Sequence, residues 1–117
     1  IHQLGGYRVQ RDEAVLLGDA RAATEAGAFA MILECVPESL AQKITESVAI
    51  PTIGIGAGPH CDGQVLVLHD LLGLTANYVP RFVKAYANLK TEITGAVRSF
   101  RDEVREGQFP GPEHGYQ

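Results

Sequence analysis

The run Ala28-Phe29-Ala30-Met31-Ile32-Leu33-Glu34 decides how this chain is read. Its apolar residues follow one another without a break up to a terminal carboxylate, the pattern of a short strand buried on both faces. Upstream, Asp12-Glu13 leads into an alanine-rich stretch in which Leu16, Ala20, Ala23 and Gly27 recur at helical spacing. Acids at the start and glycine at the stop suit a helix. Downstream, Pro37 is tolerated in a first helical turn, and Leu40, Ile44 and Val48 mark one face of a second helix. Pro51 closes the next turn, Thr52-Ile53-Gly54-Ile55 gives a second strand, and Gly56-Ala57-Gly58-Pro59 breaks it. Gln64 to Leu68 reads as a third buried strand ending on His69-Asp70. Two more helices are predicted, one through Val79, Phe82, Val83 and Tyr86, the other through Ile93, Val97, Phe100 and Val104 with Gly107 as its stop. The tail from Phe109 to Pro112 reads as irregular.

Strands alternating with helices at this spacing imply parallel βα units, since parallel neighbours need a long crossover. Three buried strands would leave both sheet edges and their apolar faces uncovered. A closed (β/α)8 barrel runs to ~250 residues, so 117 residues with three strands match roughly its second half. The predicted fold class is therefore α/β, the C-terminal half of a (β/α)8 TIM barrel, with residues 1–117 forming a single partial domain. The opening Ile1-His2-Gln3-Leu4-Gly5-Gly6-Tyr7 reads as the middle of a loop, and an upstream half is expected.

Composition narrows the function. The chain is 45% hydrophobic and 21% charged, with a net charge of -4 and acids and bases interspersed. This argues against a nucleic-acid or anionic-membrane partner and for a small-molecule ligand. No stretch approaches the ~18–20 apolar residues of a membrane span, and a cytoplasmic location is expected. Cys35 and Cys61 are read as reduced.

In a parallel barrel, ligands bind at the C-terminal strand ends. Glu34 terminates the most apolar strand, where desolvation disfavours the charged carboxylate and suits a general base near neutral pH. The competing reading makes Glu34 a cap for the helix near Pro37. Gly54-Ile55-Gly56-Ala57-Gly58 permits close backbone approach to a ligand, but Pro59 stands at the third glycine position of a dinucleotide fingerprint and a strand follows instead of a helix. That run is read as a tight turn that helps shape the site floor. His69-Asp70 has no serine or cysteine placed to complete a triad and is read as a structural pair. His60-Cys61-Asp62 matches no zinc spacing and is read as a loop. Cys35 is read as packing, since nothing nearby would activate its thiol.

Five segments, in order, carry a resemblance: Gly5-Gly6-Tyr7-Arg8-Val9-Gln10, Leu33-Glu34-Cys35-Val36-Pro37, Ile50 to Gly58, Asp62 to Asp70, and Phe109-Pro110-Gly111-Pro112-Glu113-His114. Together they resemble the 3-methyl-2-oxobutanoate (ketopantoate) hydroxymethyltransferase family over nearly the whole chain. The resemblance implies a (β/α)8 barrel that transfers a one-carbon unit from 5,10-methylenetetrahydrofolate to 3-methyl-2-oxobutanoate, on the way to pantothenate and coenzyme A. It also implies Mg2+ as the metal, which chelates the 2-oxo acid, and a strand-end glutamate before Cys-Val-Pro that removes the C3 proton and matches Glu34. The family's metal ligands belong to the N-terminal half, so none is assigned here. A homo-oligomer, a decamer in the family, is implied as well. This sequence departs from the family in having Gln10-Arg11 for Gln-Gly-Arg, a shortened stretch before Leu16, and Glu113-His114-Gly115-Tyr116 at the end. Two alternatives stand beside this reading: a related 2-oxo-acid enolate barrel of the phosphoenolpyruvate mutase and isocitrate lyase type, and a non-catalytic barrel fragment that only packs on a partner.

Overall fold

The structure is a computed structural model that describes residues 8–116. The expectations placed on Gly5, Gly6 and Tyr7 lie outside the described residues. The chain divides into two compact units, Ile1–Leu66 and Val67–Gln117.

The first unit holds α1 (Glu13–Glu25), β1 (Met31–Glu34), α2 (Glu38–Ser47), β2 (Thr52–Ile55) and β3 (Gly63–Gln64). The strands form one parallel sheet in the order β1-β2-β3. Helix α1 starts where the Asp12 side chain accepts the Val15 amide at 3.1 Å, replacing a bond that the first helical turn lacks. Its end is released by Gly27 at φ 91°. Leu33 of β1, Ala20 of α1 and Leu40, Ala41 and Ile44 of α2 bury one another. Both helices therefore cover the same face of the sheet, and Lys43 of α2 adds an exposed ion pair at 2.7 Å to Glu13 of α1.

Two expectations need correction here. The first strand begins at Met31 rather than Ala28, and it is covered on one face only: Leu33 is buried while Phe29 and Ile32 are exposed. Continuous apolar sequence permits burial on both faces, but among the described residues only the α1–α2 side is covered. The third strand spans Gly63–Gln64 rather than Gln64 to Leu68. Its pairing runs Ile53 to Gly63 and Gly54 to Gln64, and the Val65 amide still donates to the Gly54 carbonyl at 3.0 Å. Beyond that point Gly56, at φ 66°, has turned β2 out of the ladder, so the remaining apolar residues have no strand to pair with.

The second unit contains α3 (Leu68–Leu71), α4 (Leu89–Arg105) and a short 3-10 helix, Pro112–His114. His69 and Asp70 thus sit in a helical turn and not at a strand end. The helix expected through Val79, Phe82, Val83 and Tyr86 is absent. Pro80 disfavours helical backbone at Val79, and the segment closes only one turn, with the Val83 amide donating to the Pro80 carbonyl at 3.0 Å. Helix α4 agrees with its expected span and stops before Gly107 at φ 70°. The tail is more ordered than expected: Phe109 meets the Phe100 ring edge-on at 5.4 Å between centroids, and the Gly111 amide donates to His114 Nδ1 at 3.1 Å.

Candidate active site at the end of β1

Successive side chains of a strand point to opposite faces. Leu33 points into the helix-covered core, so Ile32 and Glu34 point to the other face. The same parity holds on β2, where Thr52 reaches Thr45 of α2 at 2.8 Å, leaving Ile53 and Ile55 on the open side. The register pairs Ile32 with Ile53 and Glu34 with Ile55. Among the described residues of β1 and β2, Glu34 is therefore the one carboxylate on an otherwise isoleucine-lined face, at its C-terminal edge. It is exposed, so the desolvation expected of it is not met by the described residues. The alternative capping role also fails to appear: Pro37 precedes α2 with no side-chain cap bond.

The backbone after Glu34 is held closely. The Cys35 amide donates to the Ile55 carbonyl at 3.0 Å, and the Cys35 carbonyl accepts the Gln10 amide at 3.0 Å. That second bond brings the segment before α1 to the end of β1. A cleft of about 380 Å³ lies beside β1, which has no second neighbouring strand among the described residues, and is lined by Gln10, Leu16, Ala20, Ile32 and Glu34 among others. Cys35 is buried at φ 53°, a left-handed value that a side-chain-bearing residue seldom adopts. Burial, and secondarily the charge of Glu34, pushes its thiol pKa up from the ordinary value. This agrees with a packing thiol and not an activated nucleophile.

The glycine run turns tightly, as expected. Gly58 stands at φ 76°, and a side chain there would meet Glu38 Cβ at 2.8 Å, so this position requires glycine on two counts. Gln64 Nε2 donates to the Gly58 carbonyl at 2.9 Å, and His60 Nε2 lies 3.0 Å from Glu38 Oε1. His60-Cys61-Asp62 is a loop, as expected, but Asp62 in it has a structural role that the sequence did not assign. Asp62 Oδ2 accepts from the Thr52 amide at 2.8 Å and from Thr52 Oγ1 at 3.1 Å. With the Thr52 hydroxyl proton so engaged, Thr45 Oγ1 must be the donor in its 2.8 Å bond to Thr52. Asp62 thereby straps the glycine loop to the start of β2. A buried threonine opening a strand is the signal that a polar partner must exist nearby.

In the second unit, Asp70 is buried and accepts from Thr75 Oγ1 at 2.5 Å. That bond gives Asp70 a structural partner in Thr75 and not in His69. Among the described residues, no three His, Cys, Asp or Glu side chains converge to hold a metal ion, and the neighbours of Glu34 on its face are isoleucines. The described residues do not by themselves make a Mg2+ cradle. Nor is any helix among them long and apolar enough to cross a membrane.

Comparison with known proteins fits this geometry. The family model described as ketopantoate hydroxymethyltransferase matches residues 1–112. The chain is 60% identical over 119 residues to the 3-methyl-2-oxobutanoate hydroxymethyltransferase of Frankia alni, covering 99% of this chain and 39% of that protein. For the proteins of the same name from Moorella thermoacetica and Desulforapulum autotrophicum, identity is 57% over 119 residues and 53% over 117 residues. They are matched over 98% and 100% of this chain and 44% of their own length. The chain thus spans less than half the length of the curated relatives it matches. With its parallel strands, its one-sided helical layer and a family match across nearly its whole length, the chain belongs to the ketopantoate hydroxymethyltransferase family.

Proposed function

We propose that this chain is the C-terminal, base-bearing half of a (β/α)8 barrel that transfers a hydroxymethyl group from 5,10-methylenetetrahydrofolate to 3-methyl-2-oxobutanoate, giving 2-dehydropantoate for pantothenate and coenzyme A synthesis. The observation that carries it is the position of Glu34: a strand-end carboxylate on the uncovered face of β1, before Cys-Val-Pro, in a chain of this family. Three further features support a partial barrel. Among the described residues, parallel strands carry their helices on one face, β1 lacks a second neighbouring strand and has a cleft beside it, and the opposite face is apolar.

In this mechanism Glu34 takes the proton from C3 of the 2-oxo acid, and the electron pair of that C–H bond becomes the enolate. Water opens the methylene bridge: its oxygen bonds to the methylene carbon, both C–N bonds break and its two protons pass to the tetrahydrofolate nitrogens. The enolate carbon then bonds to that one-carbon unit, and the alkoxide formed takes up the proton that Glu34 removed. The isoleucine face beneath Glu34 suits the branched alkyl end of the substrate and keeps water from the carbanionic carbon. Mg2+ is the proposed cofactor, and its ligands would come from residues other than those described here. The proposal extends to a cytoplasmic homo-oligomer, a decamer by resemblance, in which a second half of the barrel covers the open face. Membrane and nucleic-acid partners are not part of it.

The test is exchange of the C3 proton of 3-methyl-2-oxobutanoate in D2O with Mg2+, followed by NMR in the complete protein carrying this chain. Glu34→Gln is expected to slow exchange by roughly 10² to 10⁴-fold, the usual contribution of a positioned base. Equal exchange in parent and variant would remove Glu34 from the mechanism and favour the non-catalytic reading of this half.

A further inference from the structure

We propose that Cys35 is a positioning residue for Glu34: its left-handed backbone, tied on both sides, sets the direction in which the Glu34 side chain leaves β1. The inference rests on the reading of Glu34 as the base. The Cys35 amide belongs to the same planar peptide unit as the Glu34 Cα, so whatever holds that plane also holds the root of the Glu34 side chain. It is held by the Ile55 carbonyl at 3.0 Å, and Ile55 is the register partner of Glu34 itself. The next peptide plane, which carries the Cys35 carbonyl, is held by the Gln10 amide at 3.0 Å. Between two anchored planes the only freedom left is the Cys35 backbone, and that is fixed at φ 53°.

Cys35 is the sole non-glycine residue with positive φ among the described residues. A residue bearing a Cβ occupies that region at a cost, and such conformations persist where the surroundings over-determine them and where direction matters to the site. Strand geometry accounts for the need. Had the chain continued in β conformation, Cys35 would extend the ladder and carry the chain past the rim; instead it turns at the residue after Glu34 and enters α2 within three residues. Val36 precedes Pro37, which disfavours helical backbone there and so leaves the turn to Cys35. The buried thiol then serves as a small apolar plug, a role cysteine fills well.

Backbone tolerance and side-chain packing predict opposite orders for two substitutions, which makes the proposal testable. Glycine accepts positive φ but leaves a void, whereas valine fills the void but resists positive φ. In the complete protein, Cys35→Val is expected to lower kcat by about tenfold or more with KM held within about twofold, while Cys35→Gly keeps kcat within about threefold of the parent. Thermal melts of each variant establish that the folded fraction is being compared. If Cys35→Val does not fold, Cys35→Ala replaces it and is expected to have a kcat at or below that of Cys35→Gly. The reverse order, with valine or alanine more active than glycine, overturns the proposal and leaves Cys35 as packing. Glu34→Gln in the same exchange assay separates the two ideas. If exchange is unchanged, the reading of Glu34 falls whatever Cys35 does; if exchange is lost while the order at position 35 is reversed, only the positioning role falls.

Discussion

Helices α2 and α4 are written in the same code and have different fates. Both place apolar residues at helical spacing, Leu40, Ala41 and Ile44 in one and Ile93, Val97, Phe100 and Val104 in the other. In α2 those residues are buried, with Ile44 at 1% exposure, whereas no residue of α4 is buried and Val97 is 61% exposed. Helix α2 runs between β1 and β2, so both of its ends are anchored to paired strands and its apolar face is brought onto the sheet. Helix α4 follows an irregular stretch in a unit with no strand among the described residues, and Phe100 of α4 meets Phe109 of the tail. Periodicity therefore specifies which face of a helix is apolar; connectivity specifies whether that face finds a cover.

The contrast can be sharpened by substitution, with the largest effect in the first unit. Ile44→Ala is expected to cost about 2–5 kcal/mol in chemical denaturation of this chain, the range for a fully buried aliphatic residue. A loss below about 1 kcal/mol would break the comparison, because α2 would then be no better packed than α4. Asp62→Ala should come next, at about 1–3 kcal/mol, since it orphans the Thr52 amide at a buried position while the Thr52 hydroxyl keeps Thr45. Faster amide exchange at Thr52 would accompany that loss; unchanged exchange would mean that the strap does not hold the glycine loop. Val97→Ala should have the smallest effect, within about 0.5 kcal/mol on the same chain, as for other exposed positions. A cost above about 1.5 kcal/mol would reveal a cover for α4 in solution.

Much of the first unit was legible because its signals are local. Asp12 caps α1, Pro37 precedes α2, and Thr52–Ile55 forms β2 over the predicted span, each following from backbone preferences of the residues themselves. Glu34 was found as a strand-end carboxylate for the same reason. The third strand was misjudged because strand length belongs to a pair: Val65 to Leu68 is as apolar as β1, but β2 turns away at Gly56. The helix through Val79 to Tyr86 was misjudged because apolar spacing was weighed above Pro80. The left-handed turn at Cys35 had one indirect signal, the restriction that Pro37 places on Val36, and none in the identity of the cysteine.

The sequence by itself determined the alternation of helix and parallel strand, the family and the residue at the end of β1, because these depend on local preference and on motifs of consecutive residues. Only the tertiary structure decided which face of β1 is covered, that Glu34 stands on the other face, and that Gln10 and Ile55 clamp the backbone beside it. Those outcomes depend on which distant segments pack or pair with each other, a choice that closing the chain around a shared core makes and that no run of neighbouring residues encodes.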